Sequence, residues 1–177
     1  VPQKQSVSGI VENDEESYVA TPFDEENMQK GTAYHTVMQN IDFEEKDVRG
    51  FIGSLVKEGI LSQKGAEVVN DKEIEDCLNS DIIKYAIGKK CERERPFTML
   101  CESEGEKVLV QGIMIYDNGE VVLVDYKNSA REDKELIATY SKQLEYYKKA
   151  IEGKYKVKAS VIYSFPRRKS LCVEGKF

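Results

Sequence analysis

The clearest pattern of apolar and polar positions lies between residues 106 and 129, in the stretch EKVLVQGIMIYDNGEVVLVDYKNS. Two apolar runs rich in β-branched residues, 108–116 and 121–126, flank an Asp-Asn-Gly tripeptide at 117–119. An Asn-Gly pair accepts the positive φ angles that a tight hairpin turn requires. The pattern therefore predicts a β-hairpin that turns at this tripeptide.

Side chains of the second hairpin strand should alternate between two faces of the sheet. One face carries Val121, Leu123, Asp125 and Lys127, and the other carries Val122, Val124 and Tyr126. A carboxylate and an ammonium beside an apolar core cost several kcal/mol unless they are paired or bound to a metal. Asp-x-Lys at a strand end suits metal-dependent phosphodiester hydrolysis, in which the acid holds a divalent cation and the lysine positions the attacking water. Solvated charges also end many structural strands, so the motif alone leaves both interpretations open.

The rest of the chain shows alternating helical and extended periodicities. Helices are predicted over 27–40, 47–58, 71–80 and 135–151, with a further helical turn at 81–86. Strands are predicted over 90–100 and 156–164. Residues 1–26 are polar and acidic without periodicity and predict a linker or arm that lies over the domain formed by 27–177.

Length and charge limit the classes of function. The 177 residues suffice for one domain with a real core, and the formal net charge is −6. The sequence shows neither a broad basic face nor an aromatic stacking pattern, which disfavours a free-standing nucleic-acid-binding module. If DNA is the substrate, other domains or subunits are expected to hold it.

Targeting signals and cysteine spacing add less. No apolar run approaches the roughly eighteen residues of a membrane helix, and no signal-peptide pattern is present, so we expect a cytoplasmic protein without membrane contact. The four cysteines lack C-x-x-C spacing and are expected to be reduced thiols rather than metal ligands. Because the chain begins at Val1 rather than at methionine, we expect a segment of a longer polypeptide.

Four further side chains are candidates for chemistry. His35 is the chain's one histidine and lies in the first predicted helix, where a structural role is more common than a ligand role. Glu94 suits either a solvated strand or an acidic site. Gln143 and Tyr147 lie one turn apart in the last predicted helix, where they serve either the core or hydrogen bonding to a phosphate or a metal-bound water.

The segments GTAYHTVMQ, ERPF, VQGIMI, LVDYKNS and QLEYY occur in this order. Together they resemble the C-terminal nuclease domain of the AddA subunit of bacterial AddAB helicase–nucleases, in the RecB-like branch of the PD-(D/E)XK superfamily. The N-terminal KQSVS is similar to the segment that joins the helicase part of AddA to this domain. The resemblance covers essentially the whole chain. It implies an α/β, restriction-endonuclease-like fold with a central mixed sheet flanked by helices and a metal site on a bent hairpin.

The resemblance also implies a metal site. Asp125 and the backbone carbonyl of Tyr126 would coordinate Mg²⁺, with Mn²⁺ as an alternative, and His35 would act as a ligand or lie beside the ligands. Lys127 would orient the hydrolytic water. Gln143 and Tyr147 would position DNA or the lysine.

The expected partners follow from the same resemblance. They are single strands of DNA from an unwound duplex, the helicase region of the same polypeptide, which alone would use ATP, and an AddB-like subunit. The expected function is hydrolysis of phosphodiester bonds, as an exonuclease domain, during double-strand-break repair and recombination.

One position departs from the family pattern. The family carries G-x-x-D on the first hairpin strand, with the aspartate as a metal ligand, whereas this chain has Ile115 there. The loop that leads to Asp125 is also shorter than in the family. Asp117, Glu94 or Glu120 are the candidate substitutes, although the turn itself already favours an aspartate at 117. The alternative is therefore a degenerate, catalytically silent domain with a structural or DNA-guiding role.

Overall fold

The computed structural model describes residues 4–6, 22–93, 99–101, 106–109 and 112–177. Its helices are α1 (Pro22–Asn40), α2 (Val48–Lys57), α3 (Gln63–Val68), α4 (Asp71–Leu78), α5 (Asp81–Ala86) and α6 (Asp133–Glu152). Its strands are β1 (Lys4–Ser6), β2 (Lys90–Arg93), β3 (Met99–Cys101), β4 (Glu106–Leu109), β5 (Ile113–Asp117), β6 (Glu120–Lys127), β7 (Lys156–Ser164) and β8 (Lys169–Gly175).

The centre of the fold is a five-stranded mixed sheet with the order β2-β5-β6-β7-β8. Its β6–β7 pair is parallel, and the other neighbouring strands are antiparallel. Parallel neighbours need a crossover connection, and α6 provides it between β6 and β7. The short strands β1, β4 and β3 form a separate three-stranded sheet in that order.

The five-stranded sheet separates two apolar cores. On one face the buried side chains of α1, α2, α4 and α5 pack against Ile113, Ile115, Val122, Val124 and Tyr126. On the other face α6 packs against the sheet through Leu136, Leu144 and Ile151, which meet Met114, Val121, Leu123 and Ile162. The α/β class, with a mixed sheet flanked by helices, is confirmed, and so is the predicted alternation of side chains along β6.

The predicted hairpin turn is confirmed. Asn118 and Gly119 have φ angles of 50° and 81°, and Asp117 pairs with Glu120 across the turn. The prediction of one continuous strand over 108–116 is wrong, because β4 belongs to the three-stranded sheet and β5 begins at Ile113. Gly112, with φ 141°, precedes β5, and a side chain at that φ angle is strained.

The helices lie where periodicity placed them, with differences at their ends. The first helix begins at Pro22 rather than at residue 27, since proline is well suited to the first helical position. A glycine-containing turn was expected around residue 65, but α3 forms there, capped by Ser62, whose Oγ accepts from the Gly65 amide. Within the described ranges, none of the helices is both long and apolar enough to cross a membrane.

Candidate functional site

Asp125 and Lys127 form a buried ion pair at the end of β6. Asp125 is 0% exposed and Lys127 is 7% exposed, and the Lys127 Nζ lies 3.4 Å from the Asp125 Oδ2. Both side chains project to the face that α6 covers, because they alternate with Val121 and Leu123. Each charge depends on the other in this position, since desolvation of a single buried ion costs several kcal/mol.

The backbone at the end of β6 is held by the neighbouring strand. Lys127 pairs with Ser164 of β7, and the Phe165 amide donates to the Lys127 carbonyl over 3.0 Å. The Ser164 hydroxyl donates to the Ser129 carbonyl over 2.6 Å. These bonds fix the chain on both sides of Lys127, so the lysine is carried by a rigid support.

His35 approaches the same segment of β6 from the other face of the sheet. Its ring meets the Tyr126 ring edge to face, with 6.1 Å between ring centroids. The neighbouring Tyr34 hydroxyl donates to the Glu73 Oε2 over 2.8 Å and accepts from the Asn70 amide over 3.0 Å. Helix α1 is therefore anchored to α4 one residue from the histidine, and the structure brings His35 beside Tyr126, as the resemblance implied.

Three candidates are described in part or not at all. Gln143 and Tyr147 lie in α6, the helix on the Asp125 face of the sheet, and their side chains are outside the described part of the structure. Glu94 lies wholly outside the described residues. Their roles stay predictions.

Ile115 does not face Asp125. It is 0% exposed, pairs with Val122 of β6, and belongs to the core on the α1 side of the sheet. Asp125 projects to the α6 side, so a side chain of any kind at position 115 points away from it. The β5 residue on the face of Asp125 is Met114, which pairs with Leu123 and is 4% exposed.

Gly112 lies directly against the β6 backbone at Asp125. A Cβ at this position would come within 1.9 Å of the Val124 carbonyl oxygen and 3.2 Å of the Asp125 Cα. Sequence analysis assigned this glycine only to a motif, although a glycine in a strand pattern commonly marks a close backbone approach. The close approach excludes every side chain, and therefore every acid, from position 112.

We expect Gly112→Ala to destabilise the domain by roughly 3 kcal/mol, from the strained φ angle and the backbone clash together. The matched control is Gly119→Ala, because Gly119 also has a positive φ angle but a Cβ there meets nothing within 4 Å. That control should cost only about 1 kcal/mol. Urea denaturation followed by circular dichroism measures both, and equal losses would contradict the close approach at Asp125.

Asp117 lies at the opposite end of β6 from Asp125. It accepts hydrogen bonds from the Tyr85 hydroxyl and, over 3.2 Å, from the Lys158 Nζ. These two bonds hold the pKa of Asp117 below its ordinary value. Glu120, its cross-strand partner, is five residues from Asp125, or roughly 17 Å along an extended strand. The structure therefore does not bring Asp117 or Glu120 to Asp125.

Oxygen donors decide whether a divalent cation fits this site. Among the residues that the structure describes, no three His, Cys, Asp or Glu side chains lie close enough together to hold a metal. Asp125 and the Tyr126 carbonyl supply hard oxygen donors, and Mg²⁺ commonly binds through one or two carboxylates together with phosphates and water. The site thus fits Mg²⁺ or Mn²⁺ that shares its coordination with a bound phosphate, rather than a cation held by protein alone.

The chain is similar to proteins named as AddA-type subunits of an ATP-dependent helicase/nuclease, while no profile of a known protein family matches it. The protein from Clostridium acetobutylicum is 35% identical over 164 residues, which cover 77% of this chain and 13% of the relative. The protein from Bacillus cereus strain Q1 is 32% identical over 161 residues, 81% of this chain and 12% of the relative. The protein from Syntrophomonas wolfei is 30% identical over 166 residues, 81% of this chain and 13% of the relative.

These matches lie in the C-terminal region of the relatives, and the chain spans about an eighth of their length. The match extends over most of this chain, including the strand that carries Asp125 and Lys127. The chain belongs to the AddA family of ATP-dependent helicase/nuclease subunits and corresponds to the C-terminal nuclease domain of those longer proteins.

Proposed function

We propose that this chain is a divalent-metal-dependent nuclease domain with the PD-(D/E)XK fold, which cuts DNA single strands delivered by an attached helicase during double-strand-break repair. The observation that carries the proposal is the buried Asp125–Lys127 pair at the end of a central strand. Support comes from the mixed sheet between helical layers and from relatives whose names include both helicase and nuclease. The proposed partners are the helicase region of the same polypeptide and an AddB-like subunit.

In this proposal the residues of the chain divide the work between them. Asp125 and the Tyr126 carbonyl hold the cation, with His35 beside them. When bound, the cation supplies a Lewis acid that stabilises charge on the scissile phosphate and lowers the pKa of a water. Lys127 presents a fixed positive charge and three donors, which orient the attacking water and a phosphate oxygen. Gln143 and Tyr147 are proposed to contact the DNA or Lys127.

The burial of the pair makes this division effective. Helix α6 covers the face that carries Asp125 and Lys127, so bulk water is largely excluded from both charges. Charges in such a place interact more strongly than they would in water. The hydrogen bonds from Phe165 and Ser164 keep the strand end in place, so little reorganisation is needed during the reaction.

Metal and DNA should bind this domain cooperatively. Since the described residues offer one carboxylate and one carbonyl, a phosphate has to complete the coordination of the cation. We expect Mg²⁺ alone to bind weakly, and its affinity to rise about tenfold or more when single-stranded DNA is present. By linkage, Mg²⁺ should raise the affinity for DNA by the same factor.

The test is calorimetric titration of Ca²⁺, a cation that commonly binds without supporting cleavage, into the chain with and without a single-stranded oligonucleotide. The same samples are then given Mg²⁺ or Mn²⁺, and labelled fragments are separated by length. Shortened fragments that vanish with a chelator support the nuclease. Equal cation affinity with and without DNA would contradict the shared coordination.

A second candidate function is favoured by Ile115, which leaves the family's metal-ligand position apolar and turned to the other face. In that case the domain is catalytically silent and serves to guide a strand or to hold the assembly together. Intact oligonucleotide after incubation with saturating Mg²⁺ or Mn²⁺, under conditions where DNA is bound, would select this function over the nuclease.

A further inference from the structure

Lysines from segments far apart in sequence meet where the five-stranded sheet turns from β5 to β6. Lys90 starts β2, Lys156 and Lys158 lie at the start of β7, and Lys176 follows β8. The Lys176 amide donates to the Lys158 carbonyl over 3.3 Å, and Lys89 precedes Lys90 at the end of the α5 connection. A chain with a net charge of −6 therefore carries a concentrated group of cations at one end of its sheet.

The acids of the hairpin turn neutralise only part of this group. Asp117 pairs with Lys158 at 3.2 Å, and Glu120 lies 3.8 Å from Lys156. Lys89, Lys90 and Lys176 have no acidic partner among the described residues, and Lys90 and Lys176 are exposed. Positive charge is thus left over at the surface.

Aromatic rings lie between these lysines. The Lys90 Nζ sits 5.1 Å above the Tyr116 ring, which meets the Tyr155 ring with 5.1 Å between centroids. The Lys89 Nζ sits 4.1 Å above the Tyr85 ring. All three tyrosines are partly exposed, so each ring has a face or edge at the surface.

We propose that this end of the sheet is a second binding surface for single-stranded DNA, separate from Asp125 and Lys127. We define the turn-end surface by Tyr85, Lys89, Lys90, Tyr116, Tyr155 and Lys176. Interleaved lysines and rings are the combination that binds single strands without sequence preference, since the cations contact phosphates and the rings stack on bases. An acidic protein segment would use the lysines but not the rings. The choice of DNA rests on the proposed function.

The position of the turn-end surface suggests its use. Strand β6 spans eight residues, so its first residue lies roughly 23 Å from Lys127 at the other end. A strand bound at the turn end is held at a distance from the cleavage site. The domain would therefore keep its grip on a strand between successive cuts.

The test measures binding without cleavage. Fluorescence anisotropy of a labelled oligothymidine in a chelating buffer gives the affinity of the 177-residue chain and its dependence on salt. The variant Lys90→Gln/Lys176→Gln should bind about tenfold more weakly and lower the slope of log K against log salt by about 1.4, as expected for two lost phosphate contacts on a single strand. The matched control is Lys57→Gln/Lys64→Gln, which removes two exposed lysines of α2 and its neighbour α3 and should bind like the parent.

A second variant separates DNA from an acidic protein partner. Tyr155→Leu keeps the apolar volume against the α6 core and removes a stacking ring, so DNA binding should fall about fivefold or more. A polyglutamate peptide that displaces the oligonucleotide and is unaffected by Tyr155→Leu would overturn the proposal in favour of an acidic partner. Equal DNA binding by the two lysine double variants would also overturn it. Absence of cleavage in Mg²⁺, with these binding differences intact, would sink only the nuclease.

Discussion

Replacing Asp125 by asparagine is expected to end DNA cleavage and to destabilise the fold at the same time. Cleavage should fall roughly a hundredfold or more, because the cation loses its carboxylate ligand and with it several kcal/mol of transition-state stabilisation. Stability should fall by about 3–5 kcal/mol, because the Lys127 ammonium, 7% exposed, is left without the counter-ion 3.4 Å away.

A double variant separates these two effects. Asp125→Asn/Lys127→Met removes both charges, and neutral replacement of a buried ion pair often costs little. We expect thermal unfolding of the double variant to return towards that of the parent while cleavage stays absent. Recovery of cleavage together with stability would show that Asp125 serves the fold and not the reaction. Full cleavage by the stable single variant would contradict the proposed role of Asp125 directly.

Placing an aspartate at position 115, where the family carries one, is expected to damage this chain rather than repair it. Ile115 is fully buried among apolar side chains on the α1 side of the sheet. An acid there has to be buried without a charged partner from Asp125's face, at a cost of about 3 kcal/mol or more. Ile115→Asp should therefore lower the midpoint of urea denaturation strongly and leave the cation affinity unchanged.

The informative comparison is Met114→Glu. Met114 lies on the face of Asp125 and is its diagonal neighbour across the β5–β6 pair, at roughly 7–8 Å between backbone positions. A glutamate is long enough to meet Asp125 around one cation, so Met114→Glu should raise the Mg²⁺ affinity about tenfold in calorimetric titration. A stable Ile115→Asp variant with improved Mg²⁺ binding would show that β5 adopts a different register in solution.

The hairpin and its two faces could be predicted because they depend on neighbouring residues. The Asn-Gly pair sets the turn, the turn sets the register, and alternation then places Asp125 and Lys127 on one face. The outward limit of that local information is Gly112. There the chain leaves one sheet for another, and a run of apolar residues that continues across both sheets gives no sign of the change.

The turn-end surface could not be predicted, for a different reason. Its residues come from around 85–90, 116, 155 and 176, and only the pairing of β2 with β5 and of β7 with β8 brings them together. Read along the chain, each lysine is an ordinary solvated charge beside an acid. The sequence therefore pointed away from a basic, aromatic surface that the fold assembles.

The parallel pairing of β6 with β7 also determines when the catalytic end of the sheet can form. The β5–β6 hairpin closes a two-residue turn, whereas β7 joins β6 only after the chain has completed the 20-residue helix α6. Contacts between segments distant in sequence form late, because their loop-closure entropy is lost before they gain anything. We therefore expect the hairpin to form early and the environment of Asp125 and Lys127 to form last, so a newly made chain acquires its reactive centre only when folding is complete.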